Sequence, residues 1–188
     1  MPSNAQLSWR NDRLVRLNQV EAQCAAVLAL APPNPALADE NLRGYVMLLS
    51  AHFQGFCRDL HTECVQIVTA AISPAMQIMF QRQCATGREL DGANPRYETL
   101  RKDFDRFDID LTAELAANPA NSPRVTDLGH LNAWRNYAAH HRVTPPAHGG
   151  PFLLATARGW QNSCDGLAAE LDRIMYNRLM GLTGAPPW

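Results

Sequence analysis

His130, His140, His141 and His148 account for four of the six histidines and fall within nineteen residues, beside Arg124, Arg135 and Arg142. Imidazole can both take and give a proton near neutral pH, and guanidinium matches phosphate through a fixed fork of donors. Together they suit acid–base chemistry on a phosphate. Asp127 is the one acidic residue between Arg124 and Arg142, so this segment is locally positive.

If the segment is a helix, at about 100° per residue Arg135 falls on the stripe of Leu128, Leu131 and Ala138. A guanidinium pointing that way needs a partner, an anion or a cleft, because an unpaired buried charge is costly. Asn136 and His140 share a face four residues apart, so the amide can orient the imidazole. Arg135 and His140 diverge by about 140° around the axis. A long arginine reaching round, a distorted last turn before Pro145, or a second subunit would bring both to one phosphate. Structural roles compete at each position: an ion-paired arginine at Arg135, histidines favoured at a helix C-terminus at His140 and His141, packing of His141 on Trp134, and surface positions for His130 and His148. His130, His140, His141 and Cys164 offer no recognised zinc-ligand spacing.

The elements that must position these residues are helices. Leu42, Tyr45, Leu49, Phe53, Phe56, Leu60, Cys64, Ile67 and Ala71 recur every three or four residues, as do Leu153, Ala157, Trp160, Cys164, Leu167, Leu171 and Ile174. These periods predict two long amphipathic helices, with further helices over about 8–30, 74–86, 96–117 and 124–142. Breaks are expected at 32–35, 87–95, 118–123 and 145–150, where Pro, Gly and Asn cluster. No alternating strand pattern and no repeat is visible. The expected fold is therefore an all-α, up-and-down helical bundle: a four-helix core with one or two extra helices in a single domain, 1–188. Segment 88–114 carries five cations and eight anions and reads as a solvated helix face.

The chain has 188 residues, 46% of them hydrophobic, and its 17 Lys+Arg against 18 Asp+Glu leave a net charge of −1. That balance excludes a histone-like or polybasic protein. Lys102 is the only lysine. Five widely spaced cysteines without a CxxC pair read as reduced core thiols, and no apolar run approaches the ~20 residues that cross a bilayer, so a soluble cytoplasmic protein with no membrane partner is expected.

The string from Arg135 through Asn136 and Tyr137 to His140, late in the penultimate helix, resembles the arginine-polar-x-x-x-histidine signature of the HEPN superfamily of small all-α proteins. The stretch from Leu48 to Leu60, with Phe53, Phe56, Arg58 and Asp59, and the pair Asn94 and Pro95 opening a charged helix with Phe104 and Phe107, are similar to its RiboL-PSP-like branch over about residues 40–180. The chain departs from that branch at Gln54, where a glutamate is often found, so no acidic role is carried over there.

The resemblance implies a metal-independent endoribonuclease with no cofactor, in which the 2′-hydroxyl of RNA attacks the adjacent phosphate and leaves a 2′,3′-cyclic end. His140 would act as general base or acid, Arg135 would stabilise the phosphorane charge, and Asn136 would hold the histidine or the phosphate. His141 and Tyr137 are accessory candidates, and Arg142 and Arg124 candidate substrate-binding residues. The resemblance also implies a homodimer whose two motif helices line a shared cleft, and a toxin or defence role with an antitoxin or defence-system partner. Two other readings stay open: a non-catalytic module of the same fold that binds RNA, a nucleotide or a protein, and a four-helix interaction bundle.

Overall fold

Turn chemistry sets the helix boundaries. The computed structural model describes residues 1–140, 144–147 and 152–188. Its helices are α1 (Asn4–Ser8), α2 (Leu14–Leu28), α3 (Pro35–Ala71), α4 (Pro74–Ala85), α5 (Tyr97–Phe104), α6 (Leu111–Ala116), α7 (Asn121–Ala139) and α8 (Leu154–Thr183), and no strand occurs among the described residues. Asn34 caps α3 by accepting from Leu37 N, with Pro35 at the first helical position, where its missing N–H costs nothing. Pro74 opens α4 in the same way, and Gly184, at φ 72°, ends α8 in the left-handed conformation that glycine tolerates.

Four long helices carry the core. Arg13 meets Asp59 while Cys24 meets the carbonyl of Asn41, so α2 and α3 are antiparallel. Tyr45 bonds Gln161, while Glu63 and Asp172 both take N–H groups at the start of α1, so α3 and α8 run parallel. Ser163 bonds Asp127 and Glu170 bonds Asn118, which sets the chain entering α7, and α7 itself, antiparallel to α8. Successive long helices thus alternate in direction, with α4–α6 as an excursion between α3 and α7.

The N-terminal helix belongs to this core. Trp9 is fully buried against Phe53 and Phe56, and its indole N–H donates to Asp165 across the bundle. Both long stripes are buried over most of their length. Near the end of α3 the buried positions are Val65 and Val68, with Ile67 half-buried and Ala71 exposed. The five cysteines are buried free thiols, and burial raises the pKa of Cys57 and Cys64. No helix among the described residues is long and apolar enough to cross a membrane.

Two expectations need correction. The stretch 96–117 is not one helix: Asp108 adopts φ 57°, and Asp105 and Asp110 supply carboxylates that accept from Leu111 N and Ala113 N, so a new helix starts. Nor is 88–114 wholly a solvated face. Asp103 is fully buried and accepts from the N–H groups of Glu89 and Leu90 at 3.0 and 2.8 Å, beside Arg106.

Candidate functional site

The site is built where the C-terminal end of α7 meets the segment leading into α5. α7 buries Leu128, Leu131, Trp134 and Ala138, which leaves Arg135 half-buried at the edge of its packed face. One guanidinium nitrogen of Arg135 donates to Asn136 Oδ1 at 3.2 Å. The same oxygen accepts from Asn94 Nδ2 at 2.8 Å, so the Asn136 carbonyl is engaged by Asn94 and Arg135. No carboxylate among the described residues pairs with Arg135.

Asn94 can make that bond because its segment is held by side chains from three helices. Asp103 of α5 ties down the turn Glu89–Asp91 through the two backbone N–H groups above. Gln54 of α3 donates from Nε2 to the carbonyls of Leu90 and Ala93, at 2.7 and 2.8 Å. Asn132 of α7 donates to the carbonyl of Pro95 at 3.2 Å. The two bonds require an amide at position 54, because a glutamate carboxylate would face two carbonyl oxygens with no proton to offer either. Behind Asp103, His61 is buried between Phe104 and Phe107, with Nε2 3.2 Å from the Asp103 carbonyl. Burial, with Arg88 nearby, lowers its pKa to about 4, so it stays neutral.

A cleft of about 610 Å³ results, bordered by Arg135, Asn136 and His140 on one side and by Asn94, Arg96 and Thr99 on the other. Arg135 and His140 reach it within one chain. The helix stops at Ala139, and His140, at φ −108° and ψ 9°, leaves the helical path and is exposed. Glu89 and Glu98 also border the cleft, but Glu89 pairs with Lys102 at 2.6 Å and Glu98 with Arg101 at 3.2 Å. Both carboxylates thus have cationic partners other than Arg96 and Arg135, Arg101 being shared with Asp105. Arg96 and Arg135 therefore remain as guanidiniums without a carboxylate among the described residues, and the cleft suits an anion.

The other candidates are placed elsewhere. Tyr137 does not line this cleft: its hydroxyl accepts from Arg43 at 3.2 Å, Arg43 lies over its ring at 4.7 Å, and Trp134 meets it edge-on. Arg124 sits near the opposite end of α7, donating to Asn121 and lying so close to Gly166 of α8 that a Cβ there would come 2.3 Å from its Nε. His130 stands 3.9 Å from Asp127. His141, Arg142 and His148 lie outside the described residues. Asn94 and Arg96 were missed as site residues. A signal existed: Arg96 is the only cation between Glu89 and Leu100, directly after the Asn94 and Pro95 break. Among the described residues no three His, Cys, Asp or Glu side chains form a metal-binding group. No protein-family model, no curated protein and no solved structure matches the chain.

Proposed function

We propose that the protein is an endoribonuclease of the HEPN kind that cleaves RNA without a metal ion. The observation that carries the reading is Arg135 and His140 on one cleft, with Arg135 free of any carboxylate among the described residues. The reaction needs two things of the protein: a proton moved from the attacking 2′-hydroxyl or to the leaving 5′-oxygen, and charge stabilisation on the phosphorane between them.

The imidazole of His140 is exposed on the cleft and able to move the proton. Arg135 offers its guanidinium to the phosphate, held from behind by Asn136 and Asn94. Asn136 serves as a positioning residue for Arg135, since its carbonyl oxygen is already engaged. DNA, lacking the nucleophile, is not a substrate on this mechanism. The same reading carries a homodimer with facing α7 helices, which sedimentation of the purified protein tests.

The deciding experiment incubates purified protein with a structured RNA in EDTA and maps the ends. Cleavage that persists in EDTA, leaves 2′,3′-cyclic phosphate, and is lost in both Arg135→Ala and His140→Ala is the expected outcome. Intact RNA across a panel of substrates, or full activity in both variants, rejects the nuclease. RNA binding without cleavage would make this a binding module instead.

A further inference from the structure

Arg96 stands where two clefts meet. It borders the cleft of Arg135 and also a second, of about 380 Å³, bordered by Asn136 again and by Tyr137, Pro145 and Pro146. Its backbone is fixed: Arg96 N donates to Asn94 O at 2.7 Å, and its carbonyl accepts from Leu100 N at 3.0 Å. Its side chain is exposed and has neither an ion pair nor a side-chain hydrogen bond among the described residues. Most arginines of this chain are engaged by carboxylates or carbonyls, including Arg88, Arg101 and Arg106 in the same region. A rigidly based, unpartnered guanidinium between two concave surfaces is set up to meet a ligand from solution.

The two surfaces differ in chemistry. The first presents Arg135, Asn136 and His140, which suits a phosphate. The second presents a tyrosine ring and two prolines beside the Asn136 amide, which suits a flat, partly apolar group with polar edges. Arg43 lies over the ring of Tyr137 and bonds its hydroxyl, so the ring is braced from α3 and need not be ordered by the ligand. A phosphate joined through a sugar to a planar heterocycle is a nucleotide, and a nucleotide offers both chemistries at once. Bases of an unpaired strand can be splayed onto aromatic side chains, whereas those of a duplex stay stacked inside it.

We propose that Arg96 binds the phosphate next to the reacting one and that the Tyr137, Pro145 and Pro146 cleft seats the adjoining base, so that the protein takes unpaired RNA with one base held outside the stack. This subsite rests on the RNA reading above, but it concerns binding and not bond cleavage. Arg96 is a substrate-binding residue in this assignment, and Tyr137 belongs to the base subsite.

The test uses the full chain carrying His140→Ala, to keep RNA intact, and a fluorescently labelled short single-stranded RNA whose binding is followed by anisotropy. Arg96→Ala in that background is expected to weaken binding about tenfold and to reduce the slope of log affinity against log salt by about 0.7, with an unchanged melting temperature. An abasic site scanned along the RNA is expected to cost about tenfold at one position, and Tyr137→Ala to erase that penalty. The same sequence as a duplex is expected to bind at least tenfold more weakly. Single strand and duplex bound alike, abasic penalties equal at every position, or wild-type affinity and salt slope in Arg96→Ala would each overturn the subsite. If these binding results hold while the wild-type chain cuts no RNA, the nuclease reading fails and the subsite stands. If the chain binds no RNA, both fail.

Discussion

Arg124 and Arg135 sit on one helix, three turns apart, and have opposite fates. Arg124 packs across α8 at Gly166 and donates to Asn121, so its side chain is taken up in helix packing and lines no part of the His140 cleft. Arg135 faces a segment that carries side-chain amides toward it and has its carboxylates turned to Lys102 and Arg101. A guanidinium becomes a candidate ligand through what the opposite element withholds. At the end of α7 near Arg124 the neighbour is a helix whose glycine lets the arginine lie flat; at the end near Arg135 it is a pinned loop.

The largest test of this contrast is a pair of substitutions. Arg135→Ala should lower single-turnover RNA cleavage about 100- to 1000-fold, while leaving stability within about 0.5 kcal/mol. Arg124→Ala should do the reverse, keeping the rate and losing about 1 kcal/mol of stability by denaturant titration. Equal loss of activity in both would end the distinction.

Next is pH, through the support behind the loop. His61 titrates near 6.5 when unfolded and at about 4 in the fold, so between these values the unfolded chain binds the extra proton. Its contribution is complete above about pH 6.5 and declines as pH falls, by about 3 kcal/mol at pH 4. His61→Phe should flatten that part of the stability profile; an unaltered profile would show that other groups set it.

Gln54→Glu addresses the loop directly. Losing both donors to Leu90 and Ala93 should cost about 2 kcal/mol and weaken catalysis, because Asn94 then no longer holds Asn136 in place. A variant with the stability and rate of the wild type would mean that Asp103 and Asn132 alone fix the segment.

The smallest effect belongs to the packed end. Gly166→Ala should cost about 1 kcal/mol by pushing Arg124 out, and combining it with Arg124→Ala should add little, a non-additivity that a double-mutant cycle reads. Additive costs would show that the two residues do not share a contact.

Much of the helical frame was legible because helix periodicity is local. The stripes from Leu42 and from Ala157, the separate helix from about residue 74, and the breaks at Pro35 and Pro95, follow from neighbours a few residues away. The burial of Asp103 was not legible. Its charge reads as solvated until the backbone of Glu89 and Leu90 is brought onto it. The assignment of the N-terminal helix to the core likewise needed Trp9 to meet Phe53 and Asp165, partners far apart in the chain.

By itself the sequence determined that the chain is helical, where its long helices run, and that Arg135 and His140 lie near the end of one of them. Which arginine would stand on a cleft beside His140 was decided only by tertiary structure. That outcome depends on Asn94 reaching Asn136 across some forty residues, along a path fixed by Gln54, Asp103 and Asn132 from three different helices. A helical period is written into each turn of the chain, whereas a cleft is the space left when separate elements meet.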